Sequence, residues 1–180
     1  MSFPFFKQLD AMDCGPTSLR MIAKHYGKNI SISYLREHCY ITRRGVSLLG
    51  ISEAADKIGF RTMGIKVPFE SDEESMGLVD APVPFIAHWN QKHFLVVYRI
   101  NKRHVWISDP ASGKYKLTKA EFCKHWLTEE GKGIVLLLET TSEFNEDELG
   151  FKSNVGFGFL KQYFKPHKKL LFQVILFDSL

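Results

Sequence analysis

Apolar residues recur at helical spacing in the first third of the chain and at alternate positions or in short runs through most of the remainder. Leu19, Ile22, Ala23 and Tyr26 share one face of a helix that Gly15 and Pro16 would open, as cap and first helical position, and Gly27 would stop. Cys14 therefore falls at a helix amino terminus. Ser33 can cap a short helix ending at Cys39. Ser47 can start another that runs to Ile58 and is closed by Gly59, with Leu48, Leu49, Ile51, Ala55 and Ile58 facing inward.

From Phe60 the period changes to that of strands. Residues 60–67 read as a strand, an acidic helix or loop follows at 72–76, and alternation resumes at 83–89. The segments 93–100 and 104–108 flank Asn101, Lys102 and Arg103, a polar connection of the length that closes an antiparallel hairpin. Thr118 and Glu121 form a capping box for a helix ending near Trp126, and 133–140 reads as a fully buried strand. Helices first and an antiparallel sheet second make an α+β domain over 1–140. Beyond it, residues 141–180 form a distinct unit. An acidic linker runs through Glu148, then come Gly156, Phe157 and Gly158, then Lys161, Lys165, Lys168 and Lys169 ahead of an apolar stretch at 170–177.

Composition narrows the function classes. A chain of 180 residues, 44% hydrophobic, can bury one core, and a formal net charge of +4 does not demand a nucleic-acid partner. Three widely spaced cysteines without a Cys-x-x-Cys pair argue against a disulfide framework and against a zinc site, and fit a reducing compartment. The first residues lack the basic and apolar regions of a secretory signal, and the stretch at 170–177 falls short of the roughly 18 residues of a spanning helix, so the chain is not expected to cross a membrane.

The candidate chemistry starts from Cys14. A thiol attacks only as thiolate, and the free N–H groups and dipole of a helix amino terminus favour that charge. Cys39 and Cys123, inside helical patterns, read as small buried hydrophobes. A thiolate needs a base that later protonates the leaving amine, and histidine serves at neutral pH. Folding the hairpin about Lys102 sets His93 opposite residue 110 or 111, which brings Asp109 within side-chain reach. A carboxylate there fixes the imidazole tautomer and stabilises the imidazolium. Asp109 before Pro110 also suits an ordinary turn. His88 stands in reserve as base, and His88 and His104 otherwise read as strand histidines without a catalytic role. Trp89 and Met63 read as core or rim packing.

The block from Gln8 to Ile22, with Asp13-Cys14-Gly15-Pro16 at its centre, followed by His93-Phe94-Leu95-Val96-Val97 and by Asp109-Pro110, resembles the bacteriocin-processing cysteine peptidase domain of peptidase-containing ABC transporters. The resemblance covers roughly residues 1–140. It implies a papain-like fold, a triad of Cys14, His93 and Asp109, and Gln8 as oxyanion-hole donor beside the Cys14 N–H. It implies an endopeptidase that cuts leader peptides after a Gly-Gly pair, coupled to export, on the cytoplasmic face of a bacterial membrane, with the transporter's membrane and ATP-binding domains as partners in a full-length homodimer. No phosphate-binding loop follows Gly158, so no cofactor is expected in this chain and ATP belongs to a nucleotide-binding domain elsewhere. The lysines before 170–177 would then lead toward a membrane domain. Two other readings remain: a leader-binding module of the same fold that does not cut, and another papain-fold acyl transferase or amide hydrolase. The first normally lacks the nucleophile.

Overall fold

The computed structural model describes residues 2–42, 45–71 and 76–145. Three helices come first: α1 (Cys14–His25), α2 (Ile32–His38) and α3 (Leu48–Lys57). Strands β1 (Phe60–Val67), β2 (Phe85–Trp89), β3 (His93–Ile100), β4 (His104–Asp109) and β5 (Gly113–Thr118) follow, then α4 (Lys119–Trp126) and β6 (Gly133–Thr140). The six strands form one sheet in the order β1-β6-β2-β3-β4-β5, antiparallel throughout.

Side chains of a strand alternate between faces, and here both faces of the central strands are buried. Ile86, Phe94, Val96, Leu136 and Leu138 pack with Leu19, Ile22, Leu35, Ile51 and Ala55 of α1–α3. Ala87, Leu95, Val97, Val105, Ile107, Val135 and Leu137 pack on the other side with Phe122 and Trp126 of α4, and with Phe69 and Leu78. That is why β3 and β6 read as apolar runs rather than alternating sequences. The expected helical layer on an antiparallel sheet is present, with α4 as a cover for the second face.

Several boundaries differ from expectation. Helix α1 begins at Cys14, with Asp13 as its cap, because proline is tolerated anywhere in a first turn whose N–H groups lack helical partners. Helix α2 is capped by Ser31, whose Oγ accepts the Tyr34 N–H at 3.2 Å, and not by Ser33. Leu49 is 55% exposed, on the outer side of α3. Strand β2 starts after Pro84, which has no N–H for a ladder. Strand β5 was not expected: it is an edge strand whose lysines alternate with half-buried Tyr115 and Leu117. Gly59, which ends α3, has φ +89°, and a Cβ there would press on the Phe144 backbone at 2.5 Å. The acidic stretch falls at 72–75, outside the described residues, as do the linker and basic tail from 146 onward. Among the described residues no helix is long and apolar enough to cross a membrane.

Candidate active site

Cys14, the first residue of α1, is 5% exposed, and the helix it heads lies along β3 and β4. Three interlocks set this placement, each one residue away from a predicted site residue. Ser18 Oγ, one helical turn after Cys14, donates to the carbonyl of Phe94 at 3.3 Å. Ser108 Oγ lies 3.2 Å from Met21 Sδ and 3.3 Å from the Pro4 carbonyl, one hydroxyl shared by two acceptors. The Gln8 N–H donates to the Pro110 carbonyl at 3.0 Å.

His93 opens β3 and Asp109 ends β4. The ladder pairs Val96 with Ser108, so the hairpin brings the two residues to the same end of the sheet, and His93 Nε2 lies 2.7 Å from Asp109 Oδ1. Cys14 also lies near enough to His93 to help raise the pKa of its ring. With Nε2 engaged by the carboxylate, Nδ1 is the nitrogen left for the sulfur. Burial alone would lower the basicity of His93. The hydrogen bond to Asp109, the nearness of Cys14 and the attraction of their charges outweigh it and push the pKa up to about 9. The ring is therefore cationic at neutral pH.

Asp109 is held from several sides. Burial alone would raise its pKa, but the hydrogen bond from His93, the Ala111 N–H, the His93 charge and Ser112 hold the carboxyl below its ordinary value. The Ala111 N–H reaches Oδ1 at 2.9 Å, and the Tyr115 hydroxyl donates to Oδ2 at 3.3 Å. Burial and the Asp109 charge push the Tyr115 pKa up to about 12, so that hydroxyl stays a donor. Sequence reasoning missed Tyr115, Ser18 and Ser108. The alternation of Lys114, Tyr115, Lys116 and Leu117, and the spacing of four from Cys14 to Ser18, were the available signals.

Gln8 is half-buried, and its Oε1 is buried with no hydrogen-bond partner among the described residues. Such a group costs about 1–3 kcal/mol and calls for an explanation. Rotating the amide about its last bond would exchange that oxygen for the two Nε2 donors.

The other candidates lie elsewhere. Cys39, fully buried at the end of α2, has its pKa pushed up to about 12 by burial, and Cys123 is half-buried on α4 with its pKa also raised, chiefly by burial. His88 stacks on Phe94 at 5.0 Å, and burial lowers its pKa against an opposing hydrogen bond that the ring donates to the Gln91 backbone. His104 stands at the far end of the hairpin beside Trp106. Trp89 and Met63 belong to the core on the α4 side. No group of three or more potential metal ligands occurs among the described residues.

A sequence model of the peptidase C39 family matches residues 2–143. The lactococcin-G-processing and transport ATP-binding protein LagD of Lactococcus lactis subsp. lactis is 36% identical over 141 residues, which span 76% of this chain and 19% of that protein. A crystal structure of a double glycine motif protease from an AMS/PCAT transporter, in complex with the leader peptide, shares 28% identity at a TM-score of 0.67. The match covers 78% of this chain and 93% of that one. The crystallised peptidase domain of Streptococcus ComA, a bi-functional ABC transporter of a quorum-sensing pathway, shares 33% identity at a TM-score of 0.66, covering 78% and 100%. The α+β architecture is the one these peptidase domains have.

Proposed function

From the premise that this chain belongs to the peptidase C39 family and is a cysteine peptidase domain, we propose that it cuts leader peptides after a Gly-Gly pair and that Cys14, His93 and Asp109 form its triad. It would do so as one part of a longer exporter, since the matched region is 19% of the length of the relative described above. The observation that carries the reading is the imidazole–carboxylate pair, 2.7 Å between His93 Nε2 and Asp109 Oδ1, with Cys14 near enough to His93 to help raise its pKa.

The chemistry follows from those positions. The Cys14 thiolate attacks the carbonyl carbon of the second glycine. The oxyanion that forms is met by the Cys14 N–H and by the Gln8 Nε2–H, once the side-chain amide rotates to exchange its unpartnered Oε1 for that donor. His93 Nδ1 then gives its proton to the departing cargo amine, leaving the leader as a thioester on the sulfur. The now neutral imidazole takes a proton from water, hydroxide attacks the thioester, and the leader acid leaves as the thiolate returns. Asp109 keeps Nε2 protonated and the ring in plane through both steps. Two glycines suit a narrow cleft that rejects any residue with a Cβ.

The test is mass spectrometry of a double-glycine precursor incubated with this chain. Scission after the second glycine, blocked by Gly→Ala at either position, is the expected result. An intact precursor alongside turnover of an unrelated acyl substrate would move the protein to a different papain-fold activity.

A further inference from the structure

The segment that carries both proposed oxyanion donors has no apolar anchor of its own. Between Gln8 and Cys14, Leu9 is 76% exposed, Asp10 and Ala11 are exposed, and Met12 is half-buried. Its buried member is Asp13, a carboxylate with 0% exposure. This residue immediately precedes the nucleophile and forms the cap position of α1.

Resting on the catalytic reading above, we propose that Asp13 is a positioning residue for the oxyanion hole, clamping the 8–14 turn so that the Gln8 amide and the Cys14 N–H face the same point. Asp13 Oδ2 accepts the Asp10 N–H at 3.1 Å, while Asp10 Oδ1 accepts the Met12 N–H at 3.0 Å. Together they make a reciprocal capping box around the turn Ala11–Asp13. Asp13 Oδ1 lies 3.1 Å from Nε of Arg36 on α2, an ion pair by distance, and has no hydrogen-bond partner among the described residues. The Gln8 N–H, held on the Pro110 carbonyl, ties down the other end. Among the described residues the turn is thus fixed by polar contacts at both ends, with Met12 half-buried between them, and a buried carboxylate is an expensive way to hold a turn unless its geometry matters. Asp13 touches neither substrate nor the reacting atoms in this scheme. Its influence passes through the backbone that presents two donors.

A misaligned donor affects only steps that build negative charge on a carbonyl oxygen. Alkylation of Cys14 by iodoacetamide is a displacement at saturated carbon and needs the thiolate but no oxyanion hole. The experiment therefore measures kcat and KM on a Gly-Gly precursor and, at the same pH, the second-order alkylation rate of Cys14, for Asp13→Ala, Asp13→Asn and Arg36→Gln. For Asp13→Ala, kcat should fall about 10- to 100-fold, short of the 10²- to 10³-fold loss of a whole donor, with KM within about threefold and alkylation not slowed. Asp13→Asn keeps an acceptor for Asp10 and should lose less. Arg36 is exposed, so Arg36→Gln keeps the test open if Asp13→Ala does not fold, and it should lower kcat in the same selective way. Unchanged turnover, or turnover and alkylation falling together, overturns the proposal. Cleavage by Cys14→Ala would instead overturn the catalytic reading itself.

Discussion

His93 and Asp109 ride on β3 and β4, interior strands whose neighbours Phe94, Leu95, Val96, Val97, Val105, Ile107 and Ser108 are all buried, whereas Gln8 and Cys14 bracket an exposed turn held by a buried carboxylate. The hairpin is over-determined: ladder hydrogen bonds, two packed faces and the Asp109 contacts all give the same geometry. The turn depends on a few polar contacts. A site built from two such halves should fail differently according to which half is disturbed, with chemistry lost at the triad, alignment lost at the turn, and stability lost in the sheet.

The largest effect is expected where the halves meet. Cys14→Ala and His93→Ala should each lower kcat/KM by about 10⁴-fold or more while the thermal midpoint stays nearly unchanged, as a melting curve beside a cleavage assay would show. Retained cleavage in either variant would break the comparison at its root.

Asp109→Ala should cost less, about 10²- to 10³-fold, and should move the pH profile. With His93 raised to about 9, the imidazolium and the stability it contributes are fully present below the free histidine value of about 6.5 and are lost as pH rises through about 9. The wild-type kcat/KM should therefore fall on the alkaline side near that value. Without the carboxylate, the fall should shift downward toward the ordinary histidine range. Asp109 works in the opposite direction: its lowered pKa gives stability that is present above the ordinary carboxyl range and is lost as pH falls through the depressed value. An alkaline limb that does not move in Asp109→Ala would separate the carboxylate from the imidazole.

The smallest effect on activity should come from the far side of the sheet. Gly133 lies against the Trp126 ring, whose Nε1 donates to the Ile134 carbonyl at 3.1 Å, so an added methyl has no room. Gly133→Ala should lower stability by about 1–3 kcal/mol, read by denaturant titration, and leave kcat per folded molecule unchanged.

The same contrast explains what could be read from the sequence. Apolar spacing carried the placement of α1, α3, β1, β3, β4 and β6, and the hairpin pivot near Lys102 was enough to bring Asp109 to His93, because register follows from strand geometry. Strand β5 escaped because an edge strand needs only one buried flank, and its lysines mask the alternation that carries Tyr115. Leu49 was misassigned because helix spacing cannot say how wide the buried face is. Asp13 stood in the block around Cys14 with no role attached to it: a charged residue is ordinarily surface, and only the fold reveals that this one is enclosed and paired.

The most direct test of the central claim is acid-quenching the enzyme during turnover of a Gly-Gly precursor and mapping any covalent adduct by mass. The account predicts the leader attached as a thioester to the peptide containing Cys14, formed at wild-type speed only when His93 is present. Productive cleavage with the adduct on another residue, or with equal adduct formation in His93→Ala, would contradict it.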